Sequence, residues 1–414
     1  MPITASEIFS DEVEPQNDRS AGCPTLKPEA YYGLAGEFVR TIAPHTEADP
    51  AALLMNFLVM FGSIIGRNAY FRVEGINHYC NLFFAQVGRT SKGRKGTAYY
   101  RAREVMNMVD PAWSSKHIKS GLSSGEGLIY AAKFEDTEAA DRRLLIYQSE
   151  FANTLKVMAR TGNTLSSTIR DAWDSIPLQT LTKNEPLRVD EAHISIVTHC
   201  SRLELRRLLD EADVANGFAN RFIWLHCERS QCLSEGGCLQ EAEVLSLVEK
   251  TRPCVEFARE PHRLERDSDA KAVWKPVYAE LGAETDDEMV CAVTSRAESQ
   301  VMRLSMLYAL LDRSSVIQVP HICAALAIWD YSTESIEWIF GESVGDAVAD
   351  RIMVALRANP EGMTRTQISE LFSRNQSSSR INFALETLAS KKRAMATASG
   401  TNGRSSEIWK AIRA

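Results

Sequence analysis

Apolar residues recur along this chain at two different periods. "KPEAYYGLAGEFVRTIAPH" and "DPAALLMNFLVMFGSII" carry the helical period, and Asp49 followed by Pro50 is a helix-start signature for the second. The short runs "AYFRVE" and "CNLFFAQV" suit strands, and "AYYRAREVMNMV" returns to helix. Further on, Leu144–Tyr147 in "RRLLIYQSEF" and the run "AHISIVTHCS" are continuous enough to be strands covered on both faces. Helix and strand alternate between them, which predicts an α/β core. From about residue 240 to 340 the pattern is helical, most clearly in "SRAESQVMRLSMLYALLD" and "PHICAALAIWDYSTESIEWIF".

The end of the chain follows another plan. "GDAVADRIMVALRAN" predicts a helix stopped before Pro360, "TRTQISELF" a short helix capped by Thr364, and "SSSRINFALETLASKK" a third helix. "RAMATAS" and "SSEIWKAI" then read as two strands around a Gly/Asn turn. Three helices and a β-wing predict a winged helix-turn-helix. The expected division is a helical extension over 1–75, an α/β core over 76–235, a helical lid over 236–342 and the winged unit over 343–414.

Charge sharpens that division. From Gly345 to Ala414 eleven basic residues face six acidic ones, a balance of +5 that leaves −12 for the rest of a chain totalling −7. A basic tail on an acidic body fits a module that meets an anion such as nucleic acid, and equally fits a solvated charged surface. Nine irregularly spaced cysteines in a chain of 414 residues predict reduced thiols and a cytoplasmic protein. The start, "MPITASEIFSDEVEPQ", lacks the apolar core of a secretory leader. The longest apolar run, Ala51–Gly66, is short of the roughly 20 residues a membrane span needs, so no membrane association is expected.

The candidate chemistry begins at "GRTSKGRKGT", between a predicted strand and a predicted helix. A phosphate-binding loop wraps phosphates with backbone N–H groups, neutralises them with a lysine and ligates Mg²⁺ through a Ser/Thr hydroxyl. Gly88 and Gly93 keep the usual gap, but Arg94 holds the lysine's place, and Lys95, Gly96 and Thr97 come after it. Gly88, Ser91, Gly93, Arg94, Lys95 and Gly96 are the candidate nucleotide contacts, with Thr97 the candidate metal ligand. A basic glycine turn is the competing reading. Glu150, after the apolar strand, suits an acid that polarises an attacking water, or a carboxylate at its own helix N-terminus. Arg221, between aromatics in "NGFANRFIW", suits a cation for a neighbour's phosphate site, or a surface ion pair.

Taken in order, "GRKGT", "GLSSGEGLI", "HISIVTHC", "NGFANRF" and "SRAESQVMRLS" resemble the AAA+ core of minichromosome-maintenance (MCM-type) helicases. They look closest to the poorly characterised helicase-like ATPases of phages, plasmids and integrated elements. The resemblance implies an AAA+ P-loop core with a helical lid, an N-terminal helical extension and a C-terminal winged helix-turn-helix. It implies ATP and Mg²⁺ as cofactors, with Lys95 on the phosphates and Thr97 on the metal. Glu150 becomes the catalytic glutamate. Ser149 stands where the Mg²⁺-side aspartate is expected, with Gln148 before it, a departure that weakens the hold on metal-bound water. His199 takes the place of the usual sensor asparagine, Arg221 that of the arginine finger, and Arg296 that of the lid arginine, with Arg303 second. Leu178–Val189 becomes a hairpin with Lys183 at its tip. Lys183, and Arg380, Lys391, Lys392 and Arg404 of the winged unit, are the expected DNA contacts.

The implied protein is an ATP-driven DNA helicase or translocase serving replication of a mobile element. A finger acting on a neighbour requires a homo-oligomer, with a hexamer expected. An ATP-binding, weakly or non-hydrolysing DNA-binding initiator or regulator is the alternative. A separate primase or loader is a further partner to consider.

Overall fold

The structure is a computed structural model that describes residues 23–88, 94–133, 141–181, 186–209, 211–283, 287–340, 346–372, 375–399 and 406–412. Its centre is a five-stranded parallel sheet built from β1 (Phe83–Gly88), β2 (Ile118–Lys119), β3 (Arg143–Gln148), β4 (His193–Ser201) and β5 (Phe222–His226). The spatial order is β2-β3-β4-β1-β5. Every residue of β1 and β4 is buried, which is why their sequences lack a polar alternation.

Successive side chains on a strand point to opposite faces, and the two faces join different cores. Phe83, Ala85 and Val87 face the helices Gly125–Ala132, Phe151–Met158 and Leu165–Trp173. Phe84 faces the helices Pro50–Ile65, Lys95–Val109 and Glu241–Arg259. The chain leaves β1 for the far edge through helix Lys95–Val109 on one face. It then steps back through β3 and β4 with helices on the other, and passes over β1 to reach β5. Right-handed crossovers in opposite directions require this change of face. The C-terminal ends of β1 and β4 therefore flank a topological switch point, where open α/β sheets bind ligands.

The predicted helices and strands appear where the periodicity placed them. Asp49 caps helix Pro50–Ile65, its carboxylate accepting from Ala51 N at 2.8 Å. Strand pairing crosses the bounds expected between extension, core and lid. Strand Ala69–Val73 lies between Ile76–His78 and His262–Arg266, and the latter pairs with Val316–Ile317. Residues assigned to the extension and to the lid thus share one sheet and one apolar core with the α/β body. The C-terminal residues have a core of their own: helices Ala347–Ala358, Arg365–Glu370 and Ser378–Ser390 pack on a three-stranded antiparallel sheet. Thr364 and Gln367 form a reciprocal cap on its second helix. Among the described residues no helix is long and apolar enough to cross a membrane, and no disulfide joins any of the nine cysteines.

Arg303, expected near nucleotide, belongs to helix Ala297–Leu311 and is held within the fold. The side chain is 2% exposed, donates to the carbonyl oxygens of Asn81 at 2.8 Å and Trp173 at 2.9 Å, and stacks 3.7 Å over the Trp173 ring. Asn81 precedes β1, so this guanidinium sits at the N-terminal edge of the sheet, away from the Gly88 loop. Arg303→Met keeps the bulk and leaves those carbonyls without a donor. It should lower stability by about 3 kcal/mol, read as a reduced urea midpoint, and an unchanged midpoint would show that the buried ion does not hold helix Ala297–Leu311 to the sheet.

Candidate functional site

The loop after β1 ends at the switch point. Ser91 and Gly93 lie outside the described residues, as does the hairpin tip with Lys183, and so does Arg404. At Gly88, a Cβ would come 2.5 Å from the Cys227 carbonyl oxygen, so glycine is required by the close approach of the chain leaving β5. Lys95 opens helix Lys95–Val109 and folds back over this point, its Cδ 3.8 Å from where a Gly88 Cβ would stand. Burial pushes the Lys95 pKa down, while Cys200, Cys227 and Glu204 act in the opposite direction. Thr97 lies in the same first turn, its backbone N–H donating to Arg94 O at 3.0 Å.

Arg94, the residue that displaces the lysine from its usual place, caps this helix in the left-handed conformation with φ 46°. Its Nε meets Glu47 at 2.5 Å. Glu47 also receives Arg229 and, at 2.8 Å, the backbone N–H of Leu233. Arg94 therefore joins the loop to the segment before helix Pro50–Ile65 and to the chain beyond β5. This geometry places Lys95, and not Arg94, over the end of β1.

Beneath Lys95 the parallel register aligns Gln86 with His199 and Gly88 with Ser201. Gln86 is fully buried with neither amide atom partnered, and Nε2 of His199, 3% exposed, is also unpartnered. Burial and then Lys95 hold the His199 pKa down near 3, so the imidazole is neutral at physiological pH. Its ring meets Tyr147 edge-on at 5.4 Å, and Tyr147 stacks on Tyr99 at 3.6 Å. Buried, unsatisfied polar atoms beside a half-buried ammonium fit a polar anionic ligand.

Glu150 is exposed just after β3 and begins helix Phe151–Met158, where its carboxylate accepts from Asn153 Nδ2 at 2.8 Å. Thr198 Oγ1 donates to the Gln148 carbonyl at 3.2 Å and so fixes the end of β3 against β4. The Gln148 amide oxygen, turned toward the loop ahead of helix Gly125–Ala132, accepts from Leu122 N at 2.5 Å and Gly121 N at 2.8 Å. Gln148 is thereby occupied in bracing that loop, and Ser149 is the exposed hydroxyl beside Glu150. Sequence reading missed Glu204. It lies beside Lys95, and a hydrogen bond from Ser201 at 2.7 Å holds it below the usual carboxylate range, with Lys95 contributing. Its signal was the Ser-x-x-Glu spacing of a capping box, present here at Ser201 and Glu204.

Arg221 and Arg296 do not join this cluster. Arg221 precedes β5, whose first residue pairs with the first residue of β1, and Gly88 lies about 16 Å along the strand at some 3.3 Å per residue. Both arginines converge on Asp174, Arg221 Nη2 at 2.6 Å and Arg296 Nη1 at 3.4 Å. Both also lie over the Trp173 ring that supports Arg303, at 5.8 and 4.9 Å. Arg221 is 6% exposed and additionally donates to Gly217 O at 2.5 Å. The hairpin is present, Leu178 pairing with Val189 and Gln179 with Arg188.

In the C-terminal unit, Arg380, an expected DNA contact, reaches Asp346 at 2.6 Å and ties the third helix to the first. Lys391 approaches Glu288 of the body at 3.8 Å, and Lys392 is exposed in a left-handed conformation with φ 53°. On the third helix itself, Phe383 is 60% exposed and Glu386 shares the outer surface. No family model matches this chain, and a search of curated proteins found no match.

A pH dependence follows from the buried imidazoles. His199 and His193 each have a folded pKa near 3, lowered chiefly by burial, against an ordinary value of 6.5. Below 6.5 the unfolded chain binds protons that the folded chain refuses, so stability is full above that pH and falls as pH drops toward 3. Going from pH 7.5 to 5 should cost roughly 2 kcal/mol per histidine. Urea unfolding at the two pH values should show at least this combined loss, and His193 or His199 resonances that titrate near 6.5 in the folded protein would contradict it.

Proposed function

We propose that the chain is an AAA+ ATPase of the MCM-like helicase type, acting in the cytoplasm on DNA in the replication of a mobile element. The observation that carries this reading is the arrangement at the switch point. Lys95 folds over Gly88, with the unsatisfied Gln86 and His199 beneath it and Glu150 at the end of the neighbouring-but-one strand. In this reading Lys95 would neutralise the phosphates of ATP, and Thr97 and Ser149 would hold Mg²⁺. The bound Mg²⁺ supplies charge neutralisation at the transferring phosphoryl group. Glu150 orients the attacking water, and His199, uncharged, offers a hydrogen bond without adding a cation. Asn153 keeps Glu150 in place. The C-terminal unit is read as a winged helix.

Arg221 and Arg296 support action between subunits. They share one carboxylate at the sheet edge opposite their own loop, so the nucleotide they could reach is one held by an adjacent copy. Asp174 then keeps the pair together until a phosphate replaces it. A homo-oligomeric ring, with six subunits expected, satisfies this requirement, and the hairpin and the loop before helix Gly125–Ala132 are read as facing single-stranded DNA in its channel. The second reading, a weakly hydrolysing DNA-binding initiator, is favoured by one observation: Gln148 is bound to the Gly121–Leu122 loop and only the Ser149 hydroxyl remains where a metal-side carboxylate is expected.

Phosphate release in the presence of single-stranded DNA separates these. Lys95→Ala and Arg221→Ala should each reduce turnover at least a hundredfold, and mixing the two inactive proteins should restore part of it, since each supplies what the other lacks. Turnover in Arg221→Ala equal to that of the unaltered chain would sink the inter-subunit assignment. Ser149→Asp should raise turnover about tenfold if the missing carboxylate limits the rate. Tight ATP binding with no turnover in either the unaltered chain or Ser149→Asp would select the initiator reading.

A further inference from the structure

The N-terminal edge of the sheet carries a second concentration of charge that the proposed function does not use. A cavity of about 440 Å³ opens between the starts of β3 and β4, the end of helix Pro50–Ile65 and the end of helix Glu241–Arg259. Arg67, Arg142, Arg143 and Arg259 line it, and its acidic members are Asp141 and Glu191. Two of the arginines are neutralised within the fold. Arg143 is held by Asp141, with Nε–Oδ1 at 2.8 Å, and by Asp110 at 3.3 Å, and Arg259 is also paired with Asp110.

The other two make no ion pair among the described residues. Arg67 donates to the Ala192 carbonyl at 3.4 Å and stacks 4.2 Å over the Tyr79 ring, while Arg142 donates to the Asp190 carbonyl. Among the described residues neither has a carboxylate within ion-pair distance. The Asp190 carboxylate is taken by Arg188 at 2.8 Å, and Glu191 is exposed. His193 also lines the cavity and is 1% exposed. Its Nε2 bonds the Gly62 carbonyl at 2.8 Å and so carries the proton, which leaves Nδ1 a buried acceptor with no partner.

Two guanidinium groups with no ion pair among the described residues match the oxygens of a phosphoryl group, which they can engage as planar forks. A buried acceptor beside them calls for a ligand that also brings a donor, such as a sugar hydroxyl or a protonated phosphoryl oxygen. The volume lies in the range of small-ligand sites, about 300–1,000 Å³. The Lys95 cluster is at the opposite ends of the same strands. We propose that this cavity is a second anion site, binding a phosphoryl-bearing ligand through Arg67 and Arg142 independently of the loop after β1. The phosphoryl group could belong to a free di- or polyphosphate or to a nucleic-acid backbone, since the base of the Leu178–Val189 hairpin leads directly into Asp190 and His193.

The test is calorimetric titration of the full chain with inorganic pyrophosphate, in a Lys95→Ala background that disables the loop. Binding should persist in Lys95→Ala. It should weaken at least tenfold when Arg67→Gln and Arg142→Gln are added, in protein whose thermal unfolding is unchanged. Arg67→Lys with Arg142→Lys should recover part of it. An oligothymidylate that displaces pyrophosphate, or that binds where pyrophosphate does not and is lost in the Gln pair, assigns the site to a nucleic-acid backbone. An oligothymidylate that fails to compete assigns it to a free phosphate ligand. Pyrophosphate and oligothymidylate binding that both survive the Gln pair unchanged, or that both vanish with Lys95→Ala alone, would overturn the proposal. None of these outcomes depends on ATP turnover, so the proposed function and this site can fail separately.

Discussion

Arg303 is a full positive charge in the interior, and the arrangement of the body follows from how it is compensated. A buried guanidinium is tolerated only where acceptors surround it, and here the Asn81 carbonyl, the Asn81 side-chain oxygen and the Trp173 carbonyl do so. Those acceptors belong to the residue leading toward β1 and to the end of helix Leu165–Trp173. A single side chain from helix Ala297–Leu311 thus fixes that helix against the N-terminal edge of the sheet. Gln300, one turn earlier, donates to the Arg221 carbonyl at 3.1 Å and continues the seam.

Two chemically different ends result. At the C-terminal edge, an ammonium, a carboxylate and unsatisfied polar atoms gather around Gly88. At the N-terminal edge, Arg221 and Arg296 meet Asp174, and the arginine-lined cavity lies where β3 and β4 begin. Parallel strands make this separation unavoidable: loops that follow strands collect at one end, and residues that precede strands collect at the other. Residues drawn from one polypeptide therefore serve two surfaces, and any chemistry that needs both requires a second copy.

Much of this was legible from local pattern. The buried strands read as continuous apolar runs because they are covered on both faces, and Asp49 with Pro50 marked a helix start that the structure keeps. Lys95 and Glu150 were found because a strand followed by a polar turn is a local signal. Less legible were features set by contacts distant in sequence. Arg94 was ambiguous until Glu47, nearly fifty residues earlier, took its guanidinium. Arg303 and Arg380 looked available because nothing nearby in sequence reveals that Asn81 and Asp346 hold them. The extension and lid seemed separate because the strands that unite them, Ala69–Val73 and His262–Arg266, are short and nearly two hundred residues apart.

The sequence by itself determined the elements, the α/β alternation and the candidate residues at the strand ends, since hydrophobic period and capping depend on neighbours a few positions away. Only the tertiary structure decided which arginines are anchors and which are available. It also decided that Gly88 is needed for a carbonyl from β5, and that a charged cavity exists at all. Those outcomes depend on how buried charges and polar atoms find partners across the fold, and for Arg94, Arg303 and Arg380 no short window along the chain contains both members of the pair.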